Sequence, residues 1–271
     1  MQTHRDEHAF YDPSHLAGAA LALAIGRRVG FRRAPIRRCF VRLQDPAHTT
    51  PLAVALRGGR GGAVRIKLLL SMLWLAPAPP HDLTMPTRTW ANLLGLSDPE
   101  RAGTRRVSEA LGWLQTHRLL RLTQNPGRPT TAYLLHECGD GEEYSSPVDR
   151  AGATGSLFPA SDRYISLPSE FWTGGWIRAL SGTAIASLLA LLDLEPLDAK
   201  PFWVSPTQAQ RLHGLSESTR QRGIAELVAH GIVHVEKKLI TAPWGAGRTF
   251  HRRNILAINH GNLRSGTPKG R

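Results

Sequence analysis

Cysteine is scarce in this sequence: only Cys39 and Cys138 occur among 271 residues, and neither belongs to a CxxC pair. A zinc ribbon requires two such pairs, and a disulfide-based scaffold requires several cysteines within a short chain. The cysteine pattern therefore excludes a zinc ribbon and argues against a disulfide scaffold. We expect no metal site and no cofactor.

Long apolar runs are missing as well, and no stretch approaches the ~20 residues that a membrane-spanning helix requires. The apolar segment at residues 16–25 follows Asp6, Glu7 and Asp12, where a signal peptide would carry positive charge. We therefore expect a cytoplasmic protein without a membrane partner.

The sequence also lacks the patterns that accompany catalysis. No Ser/His/Asp arrangement, no carboxylate pair close in sequence and no metal-ligand cluster stands out. The glycine-rich segment at residues 57–62 lacks the GK[ST] end of a phosphate-binding loop. We expect a protein that is not an enzyme.

Acidic residues are outnumbered, since 34 Lys and Arg face 21 Asp and Glu and give a net charge of +13. The excess is uneven along the chain. Residues 1–62, 63–136 and 163–271 carry +6, +5 and +7, whereas residues 137–162 carry −5. Basic blocks of this kind favour an anionic partner such as nucleic acid, although an arginine-rich proteome would also raise the charge.

An internal repeat is present. The apolar positions of a core-facing helix, spaced i, i+3, i+4 and i+7, occur twice at an offset of 119 residues. These positions are Ile66, Leu69, Leu70, Leu73, Ile185, Leu188, Leu189 and Leu192. At the same offset, Leu-Leu-Gly-Leu-Ser at 93–97 matches Leu-His-Gly-Leu-Ser at 212–216. Each segment predicts a short helix that ends at glycine and a serine that caps the next helix.

Each copy continues with a third helix, predicted at residues 104–117 and 217–230, and with a two-stranded hairpin. The strands are predicted at residues 119–123, 130–135, 232–237 and 249–259. Here the copies match at an offset of 113, because residues 98–103 add a turn to the first copy. Three helices and a hairpin are the winged-helix order. We predict an α+β, mainly helical fold with two winged-helix (helix-turn-helix) domains in tandem.

This organisation divides the chain into a basic, partly disordered N-terminal arm (1–62), winged-helix domain 1 (63–136), an acidic flexible linker (137–162), winged-helix domain 2 (163–260) and a basic tail (261–271). Residues 16–25 of the arm have the composition of an alanine-rich helix. Its arginine pairs at 27–28, 32–33 and 37–38 fit an arm laid along phosphates and fit an unfolded tail equally well.

In winged helices the third helix enters the major groove, and the hairpin tip reaches phosphate or the minor groove. Helical geometry buries Val107, Ala110, Leu111 and Leu114 in the first copy, and Ile224, Leu227 and Val228 in the second. The opposite faces and the hairpins supply the predicted DNA contacts: Thr104, Arg105, Arg106, Ser108, Arg128, Ser218, Thr219, Arg220, Arg222, Lys237, Lys238, Arg248, Arg252 and Arg253. Arginine pairs with guanine in the major groove. Lys237 and Lys238 would bind phosphate or serve only as a solubilising strand edge.

With residues 63–259 interpreted in this way, the chain resembles the tandem winged-helix initiators of plasmid replication, of actinobacterial type. The resemblance lies in architecture and helix pattern and not in an invariant motif. It implies two domains on successive major grooves of repeated origin sequences in double-stranded DNA, with Arg105, Arg106 and Arg222 reading bases. It also implies that the first domain mediates a homodimer and that the protein is associated with the nucleoid or a plasmid.

Two other functions remain open. A transcriptional regulator would bind a promoter operator with the same surfaces, and a protein–protein adaptor would use its winged helices to bind proteins. A replication initiator would contact the replication machinery, and a transcriptional regulator would contact the transcription machinery.

Overall fold

The computed structural model describes residues 18–45, 48–58, 60–76, 78–124, 126–148, 163–241 and 250–268. The fold is α+β and mainly helical. The helices of the described part are α1 (Gly18–Arg28), α2 (Arg38–Val41), α3 (Pro51–Leu56), α4 (Arg60–Leu75), α5 (Thr87–Leu93), α6 (Ala102–Thr116), α7 (Glu170–Thr173), α8 (Trp176–Ala179), α9 (Gly182–Leu194), α10 (Pro206–His213), α11 (Glu217–Ala229) and α12 (His260–Ser265). None of them is both long enough and apolar enough to cross a membrane.

The strands of the described residues form three small antiparallel sheets. They are β1 (Ala34–Arg37), β2 (Asp82–Thr84), β3 (Leu120–Thr123), β4 (Thr131–Leu134), β5 (Tyr164–Leu167), β6 (Val233–Thr241) and β7 (Phe250–Ile258). Strand β1 pairs with β5, β6 pairs with β7, and β4 lies between β2 and β3. Strands far apart in sequence therefore meet in two of the three sheets.

The first repeat unit, residues 60–134, runs α4, β2, α5, α6, β3 and β4. Gly95 follows α5 with φ +66°, a left-handed conformation that glycine adopts without strain. The apolar stripe predicted for the third helix, Val107, Ala110, Leu111 and Leu114, is buried. The predicted hairpin is confirmed, with Leu120 opposite Leu134 and Thr123 opposite Thr131.

The second repeat unit, residues 182–258, has the same order. Helix α9 is followed by Phe202, which bridges to Leu256 of β7, and then by α10, α11 and the β6–β7 hairpin. In the first unit β4 lies between β3 and β2, and β2 precedes the second helix. In the second unit β7 likewise pairs with β6 and bridges to Phe202, which precedes the second helix α10. Helix and strand bounds agree with the predicted ones to within a few residues, except that β6 reaches Thr241.

The expected N-terminal arm is corrected for residues 18–45 and 48–58, because these residues are folded onto the core. Leu21 and Ala22 of α1 are fully buried, as are Phe40 and Leu52 further along. Arg37 is fully buried and its Nη1 lies 2.6 Å from Oε2 of Glu137. Buried, paired arginine is not available to phosphate, so Arg37 does not belong to a DNA-binding arm.

Cys39 and Cys138 are bonded to each other, a single disulfide that the expectation against a disulfide scaffold did not include. The bond joins α2 to the segment that follows β4. Within the predicted flexible linker, Glu137, Tyr144 and Ser146 are buried. The prediction is therefore wrong for residues 137–148, while residues 149–162 lie outside the described part. Of the predicted tail, residues 261–265 belong to α12, whose Leu263 is buried.

Residues from both repeat units share one hydrophobic cluster. The indole rings of Trp74 in α4 and Trp172 in α7 stack with centroids 4.7 Å apart. Helix α9 approaches α4 so closely that a Cβ on Gly182 would lie 2.9 Å from the Cα of Ala63. The boundaries assigned from the sequence stay a prediction, but the units do not pack as two independent cores.

Candidate nucleic-acid interface

The turn between α10 and α11 is defined by local sequence. Ser205 caps α10 by accepting a hydrogen bond from the backbone N–H of Gln208, and Pro206 occupies the first turn. Gly214 ends α10 with φ +67°, and Ser216 caps α11 by accepting from the N–H of Thr219. Two good caps within twelve residues fix the angle at which α11 leaves the turn.

A buried ionic network supports this turn from behind. Asp193 of α9 accepts hydrogen bonds from Arg38, Arg42 and His213, with His213 Nε2 2.9 Å from Asp193 Oδ2. Burial by itself would raise the pKa of Asp193. The hydrogen bonds from His213, Arg38 and Arg42 outweigh that effect and lower the pKa from its usual 3.8 to about 2.

The same turn is tied to the N-terminal segment through its backbone. The hydroxyl of Thr50 donates to the carbonyl of His213 at 2.9 Å, and the N–H of Leu43 donates to the carbonyl of Leu212 at 2.7 Å. Residues 38–43 and Thr50 therefore hold α10 and α11 in place, which is a structural role that the sequence did not reveal.

Helix α11 presents one narrow face to the core. A Cβ on Gly223 would lie 2.4 Å from the carbonyl oxygen of Thr183, so only glycine permits the close approach of α11 to α9. Leu227 is fully buried on the same face. Ser218 and Arg222 are exposed, as predicted. Val228, predicted to be buried, is 42% exposed, because it faces the space between α11 and the β6–β7 hairpin.

A groove of about 700 Å³ lies between α11 and the β6–β7 hairpin. Its apolar floor includes Ile224, Val235 and Leu256. Three arginines line it: Arg220 from the helix, and Arg252 and Arg253 from β7. The structure thus brings together three predicted contacts that are up to 33 positions apart in sequence.

The groove holds two further polar features. Nε of Arg220 is buried and has no hydrogen-bond partner among the described residues. The guanidinium of Arg253 lies 4.6 Å from the ring centroid of Trp203, which is 45% exposed. A buried N–H without a partner is costly, and an anion seated in the groove would provide an acceptor. Glu217 lines the same groove and would oppose an anion at that end.

The hairpin presents its two lysines differently. Lys237 is exposed on the sheet face that also carries Val235 and, across the strand pair, Asn254, both of which line the groove. Lys238 lies on the opposite face, where its Nζ is 3.0 Å from Oε2 of Glu236. The predicted contact Arg248 lies outside the described residues.

The predicted contacts of the first unit lie on the surface of α6 and its hairpin. Arg105 is exposed, and its Nε lies 3.4 Å from Oε1 of Glu109. The hydroxyls of Thr104 and Ser108 donate to backbone carbonyls of the helix and its preceding turn. Arg128 is exposed in the turn between β3 and β4. Arg106 is half-buried.

The end of α6 is filled by aromatic contacts. The ring of His117 stacks on Trp113 with centroids 3.6 Å apart, and the guanidinium of Arg65 lies 4.5 Å from the Trp113 centroid. The Trp113 ring is therefore in contact with both a histidine and an arginine side chain.

Sequence reasoning missed Trp203, Gln221 and Asn254, which line the groove. Trp203 could have been found, because it lies between Phe202, which pairs with the hairpin, and the serine cap of α10. Gln221 and Asn254 have no comparable local signal.

No protein-family model matches the chain, and neither a curated protein nor a solved structure matches it.

Proposed function

We propose that this protein binds double-stranded DNA sequence-specifically through two winged-helix units and is not an enzyme. The observation that carries the proposal is the arginine-lined groove between α11 and the β6–β7 hairpin. In a winged helix this is the side that meets DNA, since the third helix and the hairpin contact the duplex together. The repeated element order and the position of the returning strand in both units support the assignment.

In this proposal α11 enters the major groove of the DNA. The phosphates beside it bind in the protein's arginine-lined groove between α11 and the hairpin. Arg220, Arg252 and Arg253 supply N–H donors with a fixed positive charge, which suits phosphate oxygens. Trp203 lines the groove next to Arg253, whose guanidinium lies 4.6 Å from the Trp203 ring centroid. Contacts to phosphate position the protein and carry no sequence information.

Base reading falls to the exposed face of α11. Arg222 and Ser218 point away from the core, and the Nε of Arg222 donates to the carbonyl of Ser218 at 3.2 Å. That single contact leaves the remaining guanidinium donors for guanine. In the first unit Arg105 would do the same after leaving Glu109, an exposed ion pair that costs little to break.

The charge distribution supports a strongly electrostatic interaction. If the blocks of +5 and +7 neutralise ~6–10 phosphates, affinity should fall ~10³–10⁵-fold between ~50 and ~200 mM salt. An affinity that does not change over this range would contradict the proposal.

The biological role that we propose, following the resemblance, is initiation of plasmid-type replication at origin repeats, with a homodimer formed through the first unit. Regulation of a promoter would use the same surfaces. Footprinting on DNA that flanks the gene separates the two roles: tandem direct repeats in an AT-rich segment indicate an origin, and a single site over a promoter indicates an operator.

The decisive experiment is a mobility-shift titration on the footprinted duplex and on a scrambled duplex of equal length. Arg222→Ala and Arg105→Ala should each weaken binding to the cognate duplex by about 1–3 kcal/mol and relax base preference. Lys237→Ala is the matched control, because loss of a phosphate contact weakens both duplexes equally and lowers the salt slope by about one.

If both arginine variants lose affinity equally on the two duplexes, these helices do not read sequence. If the wild-type protein binds neither duplex, the adaptor function replaces the proposal.

A further inference from the structure

Three residues with metal-ligating side chains meet where α2 approaches the segment after β4. The ligand atoms of Cys39, His136 and Cys138 all lie within 4.8 Å of one another. Cys39 is buried, whereas His136 and Cys138 are half-buried and border on solvent. In the described structure the two sulfurs are bonded to each other.

The two segments that carry these residues are also held by contacts that do not involve sulfur. Arg37 forms its buried ion pair with Glu137, the residue between His136 and Cys138. The Nη2 of Arg37 also donates to the carbonyl and the hydroxyl of Ser145. Cleavage of the disulfide would therefore leave both thiols beside His136.

His136 has a partner that would prepare it for a metal. Its Nδ1 lies 3.1 Å from Oδ2 of Asp140, which leaves Nε2 as the nitrogen with a free lone pair. A carboxylate on the second nitrogen of a ligating histidine fixes the ring orientation and raises its basicity. The loop that holds Asp140 is itself ordered, since the N–H of Glu142 donates to Asp140 Oδ1 at 3.0 Å.

We propose that the dithiol form of this protein binds one Zn²⁺ through Cys39, Cys138 and His136. A dithiol reductant supplies two electrons and two protons, so that its own disulfide forms as the Cys39–Cys138 bond opens to two thiols. Zn²⁺ then replaces both thiol protons, which pass to solvent. The proposal is independent of DNA binding.

The geometry suits zinc. Zn–S bonds of ~2.3 Å and Zn–N bonds of ~2.0–2.1 Å place tetrahedral ligand atoms roughly 3.5–3.8 Å apart. The three side chains already lie within 4.8 Å of one another, so small side-chain shifts are enough. Thiolate and imidazole together favour zinc over the harder magnesium and calcium ions. The ion would cross-link the same two segments that the disulfide joins.

The test uses Co²⁺ as a spectroscopic probe for the zinc site. The full chain is reduced with a dithiol, which is then removed under nitrogen, and Co²⁺ is titrated while thiolate-to-cobalt charge-transfer absorption is recorded. The chain contains only two cysteines, so this absorption reports this site alone. We expect one Co²⁺ per chain and its displacement by Zn²⁺.

Three variants test the ligand set. Cys39→Ser with Cys138→Ser should abolish the absorption, and Asp140→Asn should weaken Co²⁺ binding roughly 10–100-fold. His136→Ala should weaken it further. The control is His48→Ala, since His48 also pairs with an aspartate, Asp45, but in an exposed contact that is unrelated to cysteine; it should leave the titration unchanged.

Circular dichroism of each reduced variant verifies that it is folded. The proposal is overturned if the reduced, folded wild-type protein gives no thiolate–Co²⁺ absorption. It is equally overturned if His136→Ala binds Co²⁺ as tightly as the wild type, because the site would then lack its third ligand.

Discussion

The two repeat units place different residues at one position of the third helix. When Leu114 of α6 is matched with Leu227 of α11, Val107 falls at the position of Arg220. Val107 is fully buried in the first unit. Arg220 is half-buried and lines the groove of the second. The second unit thus has a cation beside the hairpin where the first unit has an apolar core contact.

The units also differ in what lies behind the turn before the third helix. At the offset of 119 residues, Trp74 and Leu94 of the first unit correspond to Asp193 and His213 of the second. Trp74 and Leu94 are buried apolar residues. Asp193 and His213 are buried and hydrogen-bonded to each other. One turn therefore rests on apolar packing, and the other rests on a charged network that includes the N-terminal segment.

The largest predicted effect concerns the buried ion pair that joins Arg37 of the N-terminal segment to Glu137 of the segment after β4. Glu137→Ala leaves the charge of Arg37 buried without its carboxylate, and removal of one partner of a buried ion pair costs about 3–5 kcal/mol. Because both units share one hydrophobic cluster, we expect a single urea-unfolding transition that shifts as a whole. Glu142→Ala, an exposed residue of the same segment, is the control and should have little effect. Two separate transitions, only one of them shifted, would mean that the units fold independently.

The second prediction exchanges a residue between the units. Arg220→Val installs the valine of the first unit and removes the groove cation, so DNA affinity should fall by about 1.5–3 kcal/mol, the worth of a charged hydrogen bond. The free energy of unfolding should stay within about 0.5 kcal/mol or rise, because the Nε of Arg220 has no partner among the described residues. Mobility shift and urea unfolding measure the two effects on the same preparation.

Val107→Ala is a control for the exchange. It removes apolar packing from the first unit and should destabilise the protein with little direct effect on DNA contacts. If Arg220→Val lowers the free energy of unfolding and leaves DNA affinity unchanged, Arg220 has a structural role. Arg220 would then stabilise the second unit as Val107 stabilises the first.

Local sequence patterns predicted the parts of this fold that depend on near neighbours. Helical spacing placed α6 and α11, and Gly214 and Ser216 placed the turn before α11, because caps and apolar stripes act within a few residues. The serine predicted to cap the third helix of the first unit, Ser97, does not do so, since the N-cap position of α6 is Arg101. The Arg37–Glu137 pair and the Cys39–Cys138 bond join positions about a hundred residues apart. No local periodicity carries that information.

For the candidate site, too, the sequence predicted the individual residues but not their arrangement in space. The charged residues of α11 and β7 were identified from their helix and strand positions, but the groove that unites them depends on how the hairpin lies against the helix. Val228 shows the limit of helical spacing. It follows Ile224 by four positions, yet it is exposed because it faces the groove between α11 and the hairpin.

The smallest predicted effect is a pH dependence of the free energy of unfolding, which the charged turn of the second unit should show and the apolar turn of the first should not. The pKa of Asp193 is lowered from 3.8 to about 2 in the folded protein, so the folded state binds a proton less readily than the unfolded state. Its contribution to stability is therefore fully present above about pH 4 and is lost as pH falls towards 2. The pKa difference corresponds to about 2 kcal/mol at most.

Urea unfolding of the wild type and of Asp193→Asn between pH 6 and pH 2 measures this contribution. The effects of other carboxylates cancel in the difference between the two proteins. We expect Asp193→Asn to be the less stable protein above pH 4 and the gap to narrow by about 2 kcal/mol at pH 2. A gap that stays constant with pH would show that the turn of the second unit, like that of the first, does not depend on a charged group.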